Sequence, residues 1–213
     1  MLALEQGTPE WKMGRCGKAT GSRINDVVAK IRNGQPSASR ATYMGEIVAE
    51  QLTGIPTEHY VSTPMQFGTE TEAEARAAYA FERLTVVKKV GLVVHPTIKM
   101  SAASPDGYVG EDGLIEIKCP NTATHIETLR GRSVPGKYAC QMQWGMACSG
   151  RRWCDFVSYD PRMPKHMRLY IFRVVRDNKR IAELEAEVQA FLHEVDAQVA
   201  ELTRLYPARE EAA

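Results

Sequence analysis

Apolar side chains recur along this chain at two different spacings, and the change between them separates helices from strands. Over residues 179–205 they return at every third or fourth position, which predicts a helix with one buried stripe that Asp177 can cap. The same spacing predicts a helix at residues 24–31, and further helices are predicted at residues 40–52, 69–83, 124–129 and 135–148. A segment rich in Gly, Pro and Ser at residues 33–39 predicts a loop, and two prolines among β-branched residues at 55–65 predict an irregular connection.

Strand-forming composition begins at residues 84–95, which contain five Val and one Thr. Further strands are predicted at residues 99–103, 114–118, 153–159 and 167–175. Because side chains alternate along a strand, Glu116 and Lys118 should share one face, and Ile115 and Ile117 the other. The order of elements predicts an α/β fold of the α+β type, with a mixed central sheet flanked by helices, in a single domain over residues 1–213.

Length and charge narrow the class of protein. At 213 residues the chain can form one domain with a substantial core. Its formal net charge of +1 gives no overall basic field, so any contact with DNA must come from local clusters. The sequence has no signal peptide and no apolar run that could span a bilayer, so we expect a cytoplasmic protein with no membrane partner.

The most informative chemistry lies in residues 101–120. A Ser-Pro-Asp-Gly turn contains Asp106, and a glycine-rich segment after it favours a hairpin that brings Asp106 beside Glu116 and Lys118. Two carboxylates on one face can hold a hard divalent cation, and Mg²⁺ prefers few protein ligands together with water and phosphate. The lysine can orient an attacking water. The alternative is an ordinary hairpin with a turn aspartate and a surface Glu–Lys pair.

A second cluster surrounds the start of the helix predicted after Ser22. An arginine pair with a serine near a helix start suits a phosphate, whereas the alternative is a solvated basic face on an amphipathic helix. The basic residues of this cluster are Lys12, Arg15, Lys18, Arg23, Lys30 and Arg32.

Taken together, the motifs resemble those of the phage lambda exonuclease family, the YqaJ-type viral recombinase nucleases with the PD-(D/E)xK signature. The resemblance extends from residue 5 to residue 173. It is carried by Gln6-Gly7, Trp11, Arg15 and Ala19-Thr20-Gly21-Ser22, by residues 28–34, by Phe67-Gly68 through Arg76, and by residues 104–107, 116–120, 138–143 and 159–163. Phe67 departs from the pattern, since the family commonly has a tryptophan there.

The resemblance implies a restriction-endonuclease-like core with catalytic residues Glu72, Asp106, Glu116, Lys118 and Gln141. Asp106, Glu116 and the backbone carbonyl of Ile117 would bind Mg²⁺, which Mn²⁺ can replace. Lys118 would hold the nucleophilic water, and Glu72 and Gln141 would complete the site.

For DNA, the resemblance implies that Arg15, Ser22 and Arg32 form a pocket for a 5′-phosphate. Ser104 would help at the active site, and Met65 occupies the position of an apolar wedge that separates the terminal base pairs. Family members form homotrimeric rings threaded by double-stranded DNA and act with a single-strand annealing protein.

The expected function is therefore Mg²⁺-dependent 5′-to-3′ exonuclease activity on linear double-stranded DNA. It would release 5′-mononucleotides and leave a 3′ single-stranded tail for phage-type recombination by annealing, in the cytoplasm of a bacterial host. One alternative is an endonuclease or junction resolvase on the same core, and another is a catalytically silent DNA-binding subunit.

The five cysteines bear on a further alternative. Some nucleases with this core hold an iron–sulfur cluster on four cysteines. The spacing between Cys119 and Cys154 lacks the tight pair that such clusters usually use, and the odd number without a CxxC pair is typical of reduced thiols.

Overall fold

The computed structural model describes residues 4–58 and 60–207, which contain seven α-helices and eight β-strands. The helices are α1 (Pro9–Arg15), α2 (Ile24–Val27), α3 (Ala38–Thr53), α4 (Thr63–Glu82), α5 (Thr122–Gly131), α6 (Gly136–Ser149) and α7 (Asn178–Leu205). The strands are β1 (Ala19–Thr20), β2 (Val87–Lys88), β3 (Val93–Val94), β4 (Ser101–Ala103), β5 (Gly107–Val109), β6 (Gly113–Lys118), β7 (Trp153–Tyr159) and β8 (Leu169–Val175). Within these residues, no helix combines the length and the apolar character needed to cross a membrane.

The strands form two mixed sheets. The larger has the order β2-β5-β6-β7-β8, in which only β6 and β7 run parallel. The smaller has the order β1-β4-β3, with β1 parallel to β4. Parallel neighbours need a crossover, and α5 and α6 provide it between β6 and β7. The predicted mixed sheet with flanking helices is confirmed, although its strands are divided between two sheets.

Strand β6 has a hydrophobic cluster on each face. Leu114 belongs to the cluster that includes α6 and α7, whereas Ile115 and Ile117 pack with Ala75 and Tyr79 of α4. The predicted alternation is therefore confirmed. Its consequence is that the polar residues of β6 lie on the face shared with α6.

The C-terminal helix also follows its sequence pattern. The Asp177 carboxylate accepts a hydrogen bond from the backbone nitrogen of Arg180 at 3.0 Å, and the helix continues to Leu205. Its buried stripe consists of Ile181, Leu184, Val188, Phe191, Leu192 and Val195. The stripe packs on α3, where Phe191 stacks on Tyr43 with ring centroids 5.6 Å apart.

The helix predicted at residues 24–31 is shorter than expected. It ends at Val27, and the chain then turns back on itself so that Lys30 bridges Pro36. Gly34 adopts a left-handed φ of +85° in this turn, which a glycine accepts without steric cost. Ile31 is consequently 50% exposed and does not share the buried face of Ile24.

Other helices and strands also begin or end at residues different from those predicted. Helix α1 was not predicted; it begins after Thr8, whose hydroxyl caps the nitrogen of Trp11 at 3.2 Å. Helix α4 begins at Thr63, six residues before the predicted start at residue 69, because Pro64 is tolerated in a first turn. The stretch at residues 84–95 forms only two short strands, β2 and β3.

A buried histidine joins the loop after β3 to α6 and α7. The Nδ1 atom of His95 accepts a hydrogen bond from the backbone nitrogen of Ile98 at 3.1 Å, so the neutral ring carries its proton on Nε2 and donates it to Glu185 at 3.2 Å. The ring stacks on Trp144 with centroids 5.0 Å apart. Burial lowers the pKa of His95, and Arg176 adds to this effect, whereas Glu185 opposes it.

We expect the protein to lose stability in acid through His95. Its folded pKa lies below the unfolded value of about 6.5, so the unfolded chain takes up the proton first as the pH falls. The stabilisation by the neutral His95 ring is complete above the unfolded pKa of about 6.5 and is lost as the pH falls through the folded pKa. Each unit by which the folded pKa is lowered removes about 1.4 kcal/mol of the free energy of unfolding in acid. Urea unfolding between about pH 8 and about pH 5 measures this slope.

The matched variants are His95→Gln and His193→Gln, since His193 is exposed on α7. His95→Gln should flatten the acid slope, and His193→Gln should keep it. An acid slope that is unchanged in His95→Gln would contradict the assignment.

Candidate active site

The β5–β6 hairpin fixes the turn aspartate against the central strand. The backbone nitrogen of Asp106 donates to the carbonyl of Ile115 at 3.2 Å. In return, the Oδ2 atom of Asp106 accepts the backbone N–H of Ile117 at 2.6 Å. The turn residue and the strand predicted from the sequence therefore meet at the end of β6.

Glu116 is the centre of the polar cluster on the α6 side of β6. It is 4% exposed, and its Oε1 atom accepts hydrogen bonds from Lys118 Nζ at 2.7 Å and from Gln141 Nε2 at 2.6 Å. Gln141 lies on α6, which packs along this face of the strand. The fold thus brings together Glu116, Lys118 and Gln141, which the sequence singled out.

The cluster carries more negative than positive charge. Burial, followed by the charge of Glu116, raises the pKa of Asp106 well above its ordinary value; Lys118 opposes this effect and Glu72 adds to it. Burial opposes the charge on Lys118, but Glu116 and Asp106 outweigh it and raise the pKa of the ammonium group. Lys118 alone does not neutralise Asp106 and Glu116, so the cluster favours the binding of another cation.

The donor set suits a hard divalent cation. Asp106 and Glu116 supply carboxylate oxygens, and the carbonyl of Ile117 is a third oxygen donor at the same place in the strand. In the part of the chain that the structure describes, no three side chains of His, Cys, Asp or Glu form a metal-binding group. Two carboxylates fit Mg²⁺ or Mn²⁺, which retain water ligands, better than Zn²⁺, which prefers nitrogen and sulfur. All five cysteines are free thiols.

Helix α4 closes a further side of the cluster. A Cβ atom added at Gly68 would lie 3.7 Å from the carbonyl oxygen of Cys119, so the helix passes directly over the end of β6. One turn later, Glu72 is ion-paired with Arg76. The Nε atom of Arg76 donates to the backbone carbonyl of Asp106 at 3.2 Å. Sequence reasoning assigned no role to Arg76, although its spacing of four residues from Glu72 signals a helical ion pair.

A small cleft connects this cluster with the N-terminal segment. Residues from both of the predicted groups line it, among them Arg15, Ser22, Ser104, Glu116 and Gln141. The parallel pairing of β1 with β4 brings the two segments together, because it places residues 19–20 beside residues 101–102.

Arg15 is held in this cleft by neutral groups. Its Nη2 atom lies 3.2 Å from the hydroxyl of Thr20 and 3.5 Å from that of Ser22, and its guanidinium lies 4.2 Å from the ring centroid of Trp11. Among residues 4–58 and 60–207, no carboxylate oxygen lies within 4.0 Å of it. Burial lowers the pKa of Arg15. A partly buried cation without an acidic partner is well suited to bind an anion.

The rest of the basic cluster is arranged differently. Arg32 is exposed in the turn after α2 and does not line the cleft. Arg23 is paired with Asp26 at 2.6 Å, and Lys30 with Glu187 at 2.7 Å. The structure therefore brings Arg15 and Ser22 to the cleft, while these other cations lie on the surface or in ion pairs.

Met65 and Ser104 are two further residues that the resemblance singled out. Met65 lies on the first turn of α4 with 54% of its surface exposed. Ser104 precedes the turn aspartate and accepts a hydrogen bond from Trp11 Nε1 at 2.9 Å. An exposed methionine on a helix start is available to contact a bound molecule.

The N-terminal segment also supports the turn in a way that the sequence did not reveal. The Nε2 atom of Gln6 donates to the carbonyl of Pro105 at 2.8 Å and to that of Val90 at 2.9 Å. Gln6 lies outside any helix or strand, so no periodic pattern could have assigned it this role.

Comparisons with known proteins point to one family. The family model of the YqaJ-like viral recombinase domain matches residues 10–152. An alkaline exonuclease from Laribacter hongkongensis, LHK-Exo, is 50% identical with a TM-score of 0.87, over 92% of this chain and 97% of that protein. The same values hold for its complex with dAMP. No curated protein sequence matches the chain.

A more distant structure supports the fold alone. A phage-related exonuclease from Haemophilus somnus 129PT is 18% identical with a TM-score of 0.71, over 87% of this chain and 96% of that protein. With the solved alkaline exonuclease, it confirms the restriction-endonuclease-like fold expected from the PD-(D/E)xK signature.

Mg²⁺ or Mn²⁺ should raise the melting temperature, because the carboxylate pair exists only in the folded chain. A ligand at 100 times its Kd stabilises a protein by about 2.7 kcal/mol. In differential scanning fluorimetry, Glu116→Gln should remove the shift, and Glu111→Gln, at an exposed turn residue, should keep it. Equal shifts in both variants would place the cation elsewhere.

Proposed function

The chain belongs to the family of YqaJ-like viral recombinase domains, and on this premise we propose that it is a divalent-cation-dependent exonuclease that digests the 5′-ended strand of linear double-stranded DNA. The observation that carries the proposal is one cleft lined by both Glu116 and Arg15. Glu116 belongs to the carboxylate cluster, and Arg15 is a cation that is available to bind an anion. The alkaline exonuclease activity named for the relative from Laribacter hongkongensis supports the same reaction class.

The chemical step is hydrolysis of a phosphodiester. Asp106, Glu116 and the carbonyl of Ile117 would hold Mg²⁺, which Mn²⁺ can replace. When bound, the cation supplies a positive charge that stabilises the negative charge developing on the scissile phosphate. Lys118, held at 2.7 Å from Glu116, orients the attacking water.

Two other side chains of the cluster support this step. Gln141 keeps Glu116 in place through the hydrogen bond at 2.6 Å, and Glu72 completes the site from α4. Water attacks the phosphorus in line and loses a proton, the bond from phosphorus to the 3′ oxygen of the terminal nucleotide breaks, and that oxygen takes up a proton, so that a 5′-mononucleotide is released. The complex of the Laribacter protein with dAMP, itself a nucleoside monophosphate, supports a product of this kind.

The direction of digestion follows from the basic group that lines the same cleft. Arg15 and Ser22 anchor the terminal 5′-phosphate and Ser104 lines the same cleft, whereas Arg32 lies outside it. A terminal phosphate carries more charge than an internal diester, so a guanidinium fork favours the end of the strand. Met65, on the exposed first turn of α4, keeps the other strand apart.

The cellular setting is proposed from the family. We infer a homotrimeric ring threaded by DNA, which makes digestion processive without a strongly basic surface, and a single-strand annealing protein that receives the 3′ tail. Recombination of this phage type takes place in the bacterial cytoplasm.

Light scattering should give about three times the chain mass of 23.7 kDa, and a strictly monomeric protein would exclude the ring.

The first experiment compares linear with circular double-stranded DNA, with and without Mg²⁺. We expect digestion of the linear form alone, in the presence of metal alone. Asp106→Ala and Glu116→Ala should abolish cleavage but spare DNA binding, and Lys118→Ala should slow cleavage by roughly 10²-fold. Cleavage of circular DNA would indicate an endonuclease. If neither form is cleaved, the protein would be a catalytically silent DNA-binding subunit.

A second prediction tests the direction. Substrates with a 5′-phosphate should be digested much faster at the start than those with a 5′-hydroxyl, and Arg15→Ala should erase this difference. Arg204→Ala, at an exposed position near the end of α7, is the matched control and should preserve it. Equal wild-type rates on the two ends, or an effect of Arg15→Ala that vanishes at moderate salt, would leave only a solvated basic surface.

A further inference from the structure

Arg76 is the one cation of α4 that reaches the active-site turn. Its side chain is only 14% exposed, whereas that of Glu72 is 34% exposed. The position is set by α4 itself, because Ala75, the neighbour of Arg76, is fully buried against the sheet beneath Ile115 and Ile117. The guanidinium therefore lies between the helix and the turn.

Two contacts define its role. The Nε atom donates to the backbone carbonyl of Asp106 at 3.2 Å, and the Nη2 atom holds the carboxylate of Glu72. A planar guanidinium can make both bonds in one fixed geometry, whereas the single ammonium of a lysine cannot reproduce the fork. The turn that carries Asp106 thus determines, through Arg76, where the carboxylate of Glu72 lies.

Without this contact, nothing in the described residues would orient Glu72. Among residues 4–58 and 60–207, its only side-chain hydrogen bond is the one with Arg76, and a glutamate on a helix surface otherwise samples several rotamers. The charge of Arg76 also offsets one negative charge beside Asp106 and Glu116. Loss of the guanidinium would therefore free Glu72 and make the cluster more negative.

We propose that Arg76 is a positioning residue that holds the Glu72 carboxylate against the Asp106 turn and so sets the rate of the chemical step. The inference rests on the proposed nuclease function. It predicts a separation of two properties, since a more negative cluster retains its affinity for a divalent cation while a mobile Glu72 lowers kcat.

The test is a double-mutant cycle of Arg76→Ala and Glu72→Gln, with kcat and KM measured on linear double-stranded DNA that carries a 5′-phosphate. Arg76→Ala should lower kcat by roughly 10-fold to 100-fold with little change in KM. In the Glu72→Gln background it should cause no further loss, because a residue that acts through another loses its effect once that partner is removed. Arg76→Lys should recover only part of the rate.

A second measurement separates positioning from damage to the fold. Titration with Mn²⁺, followed by the electron paramagnetic resonance signal of the free ion, should give an affinity for Arg76→Ala that is equal to or tighter than that of the wild type. Arg83→Ala, an exposed arginine that follows the last residue of α4, is the matched control and should leave kcat and Mn²⁺ binding unchanged. If Arg76→Ala does not fold, Arg76→Gln and Arg76→Lys provide the same comparison.

The outcomes that overturn the inference are distinct from failure of the function. A wild-type protein that digests no DNA with either metal would refute the proposed function. With an active wild type, the inference fails if Arg76→Ala keeps kcat within about twofold, if its effect adds fully to that of Glu72→Gln, or if Mn²⁺ binding weakens in parallel with kcat. A loss confined to KM would instead make Arg76 a contact for DNA phosphate.

Discussion

The hydrogen bond from the backbone of Ile117 to the carboxylate of Asp106, at 2.6 Å, is the contact on which the site depends. It fixes the turn to a strand whose register is set by buried residues on both faces. A slip of one residue would move Glu116 and Lys118 to the opposite face, towards α4 and away from Gln141. The hydrophobic pattern of β6 therefore determines the electrostatics of the cleft as well as the packing of the core.

Much of this arrangement was predictable because it is local. Alternation along β6 placed Glu116 and Lys118 on one face, and glycines in the preceding segment indicated the hairpin that brings Asp106 to them. The stripe and cap of α7 follow from a period that nothing interrupts. In each case, the interactions that decide the structure involve residues close in sequence, and tertiary packing reinforces the local preference.

The parts that were not predicted depend on contacts between distant segments. Gln6 reaches Pro105 across 99 positions, and Arg76 reaches Asp106 across 30, with no periodic signal for either contact. The helix after Ser22 ends early because a turn at Gly34 reverses the chain, although its apolar spacing continues to Ile31. Arg32, grouped with Arg15 by sequence alone, is therefore exposed in that turn, outside the cleft.

The contact between Gln6 and Pro105 has a consequence for biosynthesis. A ribosome adds about 5–20 residues per second, so roughly 5–20 seconds pass between the synthesis of these two residues. Gln141 follows later still, and β6 gains its parallel neighbour only once β7 has emerged. The nascent chain thus has no assembled cleft until most of it has left the ribosome. The candidate site is therefore assembled only after residue 159, the last of β7, has been synthesised.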